Sequence, residues 1–179
     1  MHLTAEEQKM LDGAYGETVR RSMKVLVALG EIYGADHMIE VKNVHSPGVS
    51  YRVAGDAGLG YVEDASKDAV FQVPMTLNTI GIDEKDWKQI GFPEDFSCKQ
   101  LELSRAYEKM GAIPTNSCTP YLNGNLPMFG EHVAWGESSA VAFVNSVIGA
   151  RTNREGGPTA LAAAITGRLP AYGYHLDEN

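Results

Sequence analysis

The sequence predicts an α/β fold in which helices flank a mixed sheet. Apolar residues recur near the helical period from Glu17 to about Tyr33, and the segment from Met38 to Val44 is rich in Ile and Val, as strands are. Helices and short strands alternate along the rest of the chain, which is typical of α/β proteins. Because no repeat and no low-complexity linker interrupts this order, we interpret residues 1–179 as one α/β domain.

Capping and turn residues set the bounds of the predicted elements. Thr4 and Glu7 have the spacing of a capping box, which predicts a short helix through about Asp12, and Gly34 is placed to end the second helix. Pro158 suits the first turn of the last helix. The other predicted elements are a strand at Val70–Val73, a loop at Pro74–Gly81, and helices at Asp83–Ile90, from about Ser97 to Met110 and from about Ser138 to Ile148.

Composition limits the classes of partner. The 179 residues carry a formal net charge of −8, which argues against nucleic acid or an anionic membrane surface. The first residues lack the pattern of a signal peptide, and no stretch approaches the roughly 20 apolar residues of a membrane span. The glycine-rich segment Gly55–Tyr61 matches neither the dinucleotide fingerprint nor the phosphate-binding loop, so it does not indicate a nucleotide. We therefore expect a cytoplasmic protein that binds a small metabolite.

Polar residues cluster in four predicted loops or helix starts. Helix N-termini present free backbone amides and a partial positive charge, so Ser138–Ser139 and Gly156–Gly157 are candidate cradles for a carboxylate or a phosphate. Arg151 and Arg154 add guanidinium groups, each of which matches two oxygens of an anion. Together these features predict an anionic small-molecule substrate. The four clusters are His45–Ser50, Asn116–Thr119, Glu137–Ser139 and Arg151–Gly157.

Some of the same residues could have structural rather than functional roles. Arg151, Arg154 and Glu155 would also suit a surface ion-pair network that caps a helix. His45 and His132 are candidate metal ligands or acid–base groups, although an isolated histidine is more often a hydrogen-bonded structural residue. The spacing of these residues leaves both alternatives open.

The chain has two cysteines, Cys98 and Cys118, which are too few for a disulfide scaffold. Cys118 lies in a polar turn between Ser117 and Thr119, where a thiolate can bind iron. Cys98 lies near the start of a predicted helix, where we expect a buried or partly buried structural cysteine. One thiolate cannot hold an iron-sulfur cluster, so a cluster at Cys118 would need further ligands from outside these residues.

Several segments, taken in order, resemble the aconitase X family. Each match is short, but the set extends over nearly the whole chain, and its order makes it specific. The matching segments are Gly55–Gly58, Pro74–Asn78, Ala106–Glu108 with Gly111–Thr115, Cys118–Tyr121, Phe129–His132, Ala134–Ala140 and Gly149–Gly157.

The resemblance implies an aconitase-like layered α/β lobe that forms the N-terminal part of a catalytic large subunit. Members of the family eliminate water from hydroxylated carboxylic acids. The first expectation is dehydration of phosphomevalonate to anhydromevalonate phosphate by a large and a small subunit. The alternative substrate within the family is cis-3-hydroxy-L-proline.

The resemblance further implies an iron-sulfur cluster, expected as 4Fe-4S rather than 2Fe-2S, with Cys118 as the first of three cysteine ligands. Iron with an open coordination site acts as a Lewis acid on the leaving hydroxyl while a base removes a proton from the neighbouring carbon. That base is expected to be a serine on a small swivelling domain or subunit. The other ligands are expected in the remainder of the large subunit, beyond Asn179.

We predict that the candidate residues line one face of a cleft whose other walls come from outside the chain. Alternatively, the chain is a truncated, non-catalytic α/β module that binds neither metal nor substrate. The predicted roles are metal binding by Cys118, catalysis by Glu137, Ser138, Ser139 and Glu155, and substrate binding by His45, Ser46, Gly48, Val49, Ser50, Asn78, Arg151, Asn153 and Arg154.

Overall fold

Helices and short strands alternate along the chain, as the sequence predicts, in a computed structural model that describes residues 1–179. A π-helical turn at Val144–Ile148 continues the sixth helix, and 3-10 turns lie at Pro120–Leu122 and Gly173–His175. The helices are α1 (Ala5–Asp12), α2 (Glu17–Tyr33), α3 (Tyr51–Ala65), α4 (Trp87–Ile90), α5 (Glu94–Lys109), α6 (Ser138–Phe143) and α7 (Gly157–Thr166). The strands are β1 (Met38–Glu40), β2 (Val44–His45), β3 (Met75–Thr76), β4 (Ala134–Trp135) and β5 (Arg168–Pro170).

Three strands form a small parallel sheet with β2 in the middle. Val44 of β2 pairs with Met75 of β3 on one side and with Ala134 of β4 on the other. Ile113 forms a parallel bridge to the outer side of β3, and Arg154 forms one to the outer side of β4. β1 and β5 form a separate antiparallel pair. Five chain segments therefore run side by side in the same direction, and their ends meet at one edge.

Two predicted strands differ from the observed ones. The single strand predicted from Met38 to Val44 is divided into β1 and β2, because the amides of Val41 and Lys42 bond to Gly167 and His132 outside those pairings. The strand predicted at Val70–Val73 is wrong, and β3 lies instead in the predicted loop that follows it. The amides of Phe71 and Gln72 bond to carbonyl groups at the ends of α5 and α7, so no strand pairs there.

The capping signals of the helices are confirmed. Thr4 and Glu7 form the predicted capping box at α1, and α2 ends at Gly34. The helix predicted from Asp83 shortens to α4, because the Asp83 carboxylate accepts the amides of Lys85 and Asp86 at 2.8 Å and holds them in a turn. α5 begins at Glu94, three residues before the predicted start.

α3 contains the glycine-rich segment that the sequence did not identify as a helix. Gly55 interrupts it with φ 60° and ψ −171°, a conformation that an L side chain rarely adopts. Leu59 and Val62 are buried on its inner face, so packing against the core overrides the low helix propensity of its glycines.

α7 lies at the centre of the molecule. Every residue from Ala160 to Thr166 is buried, and the helix contacts α2 on one side and β2, β4 and β5 on the other. Small alanine side chains allow these elements to approach closely, while the fully buried Met23 and Leu26 of α2 fill the remaining volume. The N-terminus of α7 is thus held beside the parallel sheet.

No helix in the structure combines the length and the apolar composition that crossing a membrane requires.

Gly136 allows the loops after β2 and β4 to touch. A Cβ atom at this position would lie 2.6 Å from the Glu155 carbonyl oxygen and 2.6 Å from Cδ of Pro47. Real Cβ atoms do not approach other atoms so closely, and neither the backbone nor the proline ring yields easily. The residue therefore sets the spacing between three segments at the edge of the sheet.

We predict that Gly136→Ala lowers the free energy of unfolding by about 1–3 kcal/mol, because the added methyl group forces these backbones apart. Gly60→Ala is the matched control: Gly60 lies in α3, and a Cβ there meets nothing within 4 Å. That variant is expected to be more stable by up to about 1 kcal/mol. Urea unfolding of the chain measures both, and equal stability of the two variants would contradict the close contact at Gly136.

Candidate functional site

Most predicted site residues lie where the parallel segments end. Residues that follow parallel strands meet at the carboxyl edge of a sheet, where α/β proteins bind their ligands. The loops after β2, β3 and β4 reach this edge, together with the loops that follow Ile113 and Arg154. The predicted residues on them are Ser46, Gly48, Val49 and Ser50 after β2, Asn78 after β3, Glu137, Ser138 and Ser139 after β4, Cys118 after Ile113, and Glu155 after Arg154.

His45 ends β2 and is fully buried. Its Nδ1 lies 2.9 Å from the Thr76 hydroxyl, and its ring meets the edge of Trp135 at a centroid distance of 5.9 Å. The Thr76 hydroxyl accepts a hydrogen bond from Asn125 at 2.8 Å, and its own proton has a closer acceptor in His45 than in the Val44 carbonyl at 3.4 Å. We therefore assign the proton of the neutral ring to Nε2, which has no partner.

Burial lowers the pKa of His45 to about 4, although the charge of Glu137 and a contact with Thr76 oppose the shift. The imidazole is therefore neutral at pH 7. A neutral ring with a free Nε2–H is a hydrogen-bond donor rather than a base.

The loop after β2 is tied to its neighbours by buried polar groups. The Asn78 amide donates to the Ser46 hydroxyl at 3.1 Å, which joins the ends of β2 and β3. The side chain of Gln100, fully buried on α5, donates to the Val49 carbonyl at 2.9 Å and accepts the Tyr51 amide at 2.9 Å. Sequence reasoning missed Gln100, because nothing near it in the chain indicates a partner 50 residues away.

Glu137 fills the N-terminus of α6. Its carboxylate accepts the amides of Ser139 and Ala140 at 2.6 and 3.0 Å, and the hydroxyls of Ser138 and Ser139 at 3.2 and 2.5 Å. Burial would raise the pKa of Glu137, but these hydrogen bonds outweigh it, and the pKa is lowered. The expectation that Ser138–Ser139 form an open cradle for an anion is therefore wrong, because the chain supplies the carboxylate itself.

Cys118 lies in a turn that its neighbours hold. The Ser117 hydroxyl accepts the Thr119 amide at 3.1 Å and an Asn123 side-chain N–H at 3.0 Å. Asn116 has φ 45°, which is uncommon for a residue other than glycine. The Sγ of Cys118 is half-buried and lies 3.9 Å from the Thr79 hydroxyl, beside the loop after β3.

Cys98 lies on α5 and is exposed. The prediction of a buried or partly buried structural cysteine is wrong at this position, because the residue lies on the outer face of the helix. No group of three or more His, Cys, Asp or Glu side chains in the structure is placed to hold a metal ion. A metal at Cys118 would therefore take its other ligands from outside these residues.

The segment that carries the two predicted arginines extends from one edge of the sheet to the other. Arg151 bridges to His132 before β4 begins, so it lies at the amino edge, away from the other candidates. Its guanidinium pairs with Asp177 at 2.5 Å. Asn153 is also engaged, because its side chain donates to Tyr172 and accepts from Tyr174. The structure therefore does not bring these two residues to the carboxyl edge as predicted substrate ligands.

Arg154 and Glu155 lie at the carboxyl edge and do not pair with each other. Arg154 is exposed and forms neither an ion pair nor a side-chain hydrogen bond. Glu155 is 3% exposed, and its Oε1 has no hydrogen-bond partner. Burial raises the pKa of Glu155, and a contact with Thr159 only partly opposes this. The alternative of an ion-pair network among Arg151, Arg154 and Glu155 is thus wrong.

A cleft of about 770 Å³ opens beside these residues. Its walls come from α3, α5, the N-terminus of α7 and the loops after β2 and β4. Arg154, Glu155, Gly48 and Ser50 line it, whereas Cys118 and Asn78 do not. Only some of the predicted site residues therefore line the cleft. Cys118 lies along the same edge of the sheet but outside the cleft.

Comparison with known proteins identifies the class. A profile described as the first domain of aconitase X matches residues 1–178, and the chain belongs to this family. A crystal structure named aconitase X of Thermococcus kodakaraensis, in its holo-form, superimposes with a TM-score of 0.91 at 50% identity and covers all of this chain and 44% of that one.

Two relatives are dehydratases by name. The phosphomevalonate dehydratase large subunit of Methanocaldococcus jannaschii is 56% identical over all of this chain and 45% of the relative. The cis-3-hydroxy-L-proline dehydratase of Pseudomonas aeruginosa is 38% identical over 98% of this chain and 30% of the relative. The chain thus spans less than half the length of the relatives that it matches.

The buried neutral His45 predicts that the chain loses stability in acid. An unfolded imidazole titrates near pH 6.5, whereas His45 titrates near 4, so the unfolded state binds more protons between these values. The free energy of unfolding should fall as the pH is lowered from about 6.5 to 4, by up to about 3 kcal/mol from this residue. His175, whose pKa burial lowers to about 3, adds a loss of the same sign.

Chemical unfolding at several pH values measures this loss. His45→Gln should reduce the pH dependence without abolishing it, because His175 remains. His2→Gln, at an exposed position, should leave it as in the parent chain. An unchanged pH dependence in His45→Gln would show that the native ring titrates normally.

Proposed function

We propose that the chain supplies the substrate-facing part of the large subunit of an aconitase X hydro-lyase that dehydrates phosphomevalonate to anhydromevalonate phosphate. One observation carries the proposal: loops from five parallel segments converge at one edge and carry a half-buried thiol, a neutral buried histidine and a buried carboxyl group. The greater identity to the phosphomevalonate dehydratase than to the hydroxyproline dehydratase supports the choice of substrate.

Cys118 suits one ligand position of an iron-sulfur centre. Its thiol is accessible at the edge, and only the Thr79 hydroxyl lies within hydrogen-bonding distance of the sulfur. With three cysteine ligands expected, the other two belong to the remainder of the large subunit. When bound, the centre supplies a Lewis acid for the leaving hydroxyl. The expected 4Fe-4S composition remains a prediction.

Glu155 is the candidate proton donor. Elimination breaks the C–O bond of the leaving hydroxyl and a C–H bond on the neighbouring carbon, whose electron pair forms the double bond. Burial raises the pKa of Glu155, which favours the protonated carboxyl group, and that form can transfer its proton to the departing oxygen, which leaves as water. The proton from carbon goes to a base outside the chain, expected to be a serine of the small swivelling subunit.

The other predicted residues have supporting roles in this proposal. The Nε2–H of His45 is a candidate hydrogen-bond donor, and Ser46 and Asn78 hold the ends of β2 and β3 together. Glu137 orders the start of α6 rather than exchanging protons, because all its hydrogen bonds are with its own helix. Arg151 and Asn153 hold the segment around Tyr172–Asp177.

Replacement of Cys118 by serine tests both the assignment of Cys118 as an iron ligand and the choice of substrate. We expect Cys118→Ser in the complete large subunit, assembled anaerobically with its small subunit, to lose iron and to lower dehydration of phosphomevalonate at least about a hundredfold. Cys98→Ser is the matched control, because it removes the other thiol at an exposed site. Iron content is measured on each protein variant, and product formation is measured with phosphomevalonate and with cis-3-hydroxy-L-proline as substrates.

Turnover of hydroxyproline alone would replace the proposed substrate by the alternative. Assembly of the subunits without iron or turnover of either acid would favour the non-catalytic module. Equal loss of iron in both cysteine variants would contradict the assignment of Cys118.

The variant Glu155→Gln tests whether Glu155 is the proton donor. The amide keeps the size of the side chain but cannot transfer a proton, so kcat should fall about a hundredfold or more with little change in KM. Glu102→Gln, at an exposed site on α5, is the control. Parental kcat in Glu155→Gln would exclude proton transfer by this residue.

A further inference from the structure

Two segments that touch each other combine exposed apolar side chains with an absence of charge. No charged residue occurs at positions 110–130 or 138–150, although 21% of the chain is charged. Both segments direct some of their apolar side chains to the surface rather than to the core. We define the apolar surface as the five of these side chains that are 63–86% exposed, which are Leu122, Leu126, Met128, Phe129 and Val147.

Contacts at both ends of the loop from Tyr121 to Phe129 hold it against the second segment. The Tyr121 ring stacks on the ring of Phe143 at a centroid distance of 3.9 Å. The Phe129 ring lies against Gly149, where a Cβ atom would come within 2.6 Å of it. The Gly130 amide donates to the Gly149 carbonyl at 2.8 Å. The exposed side chains of the two segments therefore belong to one surface.

The same loop is also fixed to the parallel sheet beneath it. Asn125 is buried, and its side chain donates to the Thr76 hydroxyl at 2.8 Å and to the Val44 carbonyl at 3.2 Å. The Met128 amide donates to the Glu131 carboxylate at 2.8 Å. These hydrogen bonds hold the backbone with its apolar side chains outward, so water contacts them unless another protein surface covers them.

The composition of the apolar surface is typical of the centre of a protein interface. Interface centres are depleted of charged residues and enriched in aromatic residues and methionine. Clusters of exposed apolar side chains mark binding surfaces, because burial of apolar area stabilises association. A surface without charge does not attract nucleic acid or an ionic ligand, so its occupant is expected to be a polypeptide with an apolar face of its own.

Two observations support one particular occupant. The chain spans less than half the length of the large subunits that it matches, so in those relatives a longer part of the same polypeptide accompanies these residues. The apolar surface also continues directly into the turn that holds Cys118. The Asn123 side chain joins the two, because it donates to the Ser117 hydroxyl and to the Thr119 carbonyl, each at 3.0 Å. A polypeptide that covers the apolar surface therefore also lies beside Cys118.

We propose that the apolar surface is the docking site for the part of the large subunit that lies outside these residues. This choice of occupant rests on the proposed function, in which the chain is one domain of that subunit. Packing against Leu122, Met128 and Phe129 buries apolar area and holds the second part next to Cys118. A second copy of the chain is disfavoured, because two chains with a formal net charge of −8 repel each other.

Photo-cross-linking identifies the occupant. A benzophenone analogue of phenylalanine replaces Phe129 in the complete large subunit, which is assembled with its small subunit and irradiated, and the cross-linked peptides are identified by mass spectrometry. We expect cross-links from position 129 to large-subunit residues outside this domain. The matched control places the analogue at Val70, which is 65% exposed beside the exposed charged residues Lys67 and Asp68, and no such cross-link is expected there.

Cross-links from position 129 only to the small subunit or to a second copy of the large subunit would overturn the proposal, and so would the absence of any cross-link. The result does not depend on iron or turnover. Cross-links within the large subunit of a protein that dehydrates neither acid would therefore support the docking site and contradict the dehydratase assignment.

A matched pair of valine substitutions tests burial of the same surface. Val147→Asp places a carboxylate in the proposed interface, whereas Val70→Asp places one at a site of equal exposure outside it. In the complete two-subunit protein, Val147→Asp should lower Tm by about 2–4 °C or more relative to Val70→Asp, because a buried carboxylate loses its hydration. Equal Tm values for the two variants would show that Val147 stays in solvent and would contradict the docking site.

Discussion

The pairing of β2 with a parallel strand on each side is the constraint on which the rest of the site depends. The strand has only two residues, but Val44 is fully buried between Met75 and Ala134. Because all three strands run in the same direction, their following loops must leave at the same edge. Gly136 then brings two of these loops into contact, and α7 packs beneath them. The site is thus a consequence of strand direction rather than of any single motif.

Burial shifts the pKa values of two groups along this edge in opposite directions. It lowers the pKa of His45 to about 4, so the ring is neutral at pH 7, and it raises the pKa of Glu155, which favours the neutral form of that group. Glu137 remains ionised because its helix supplies the compensating hydrogen bonds. Arg154 is exposed to solvent. The edge therefore presents a neutral imidazole and an exposed guanidinium, while the Glu137 carboxylate is engaged by its own helix, which suits an anionic substrate although the whole chain is acidic.

The sequence allowed the helices other than α3 and most of the site loops to be predicted, because caps, helical periodicity and polar clusters are local signals. It did not reveal the sheet order, since strands of two residues show no periodicity and pair with segments at least 30 residues away. The position of Arg151 was predicted wrongly because its place in the sheet order was also unknown. It lies only three residues before Arg154, but an extended segment carries them to opposite edges. Gln100 has no local signal at all.

We propose that the carboxyl edge of this small sheet carries the iron centre. Anomalous diffraction at the iron edge from crystals of the complete two-subunit protein locates the iron. We expect an iron peak bonded to Sγ of Cys118, next to the loop after β3 and facing the cleft at Arg154 and Glu155. An iron peak bound elsewhere, with Cys118 free of metal in the fully active protein, would contradict it.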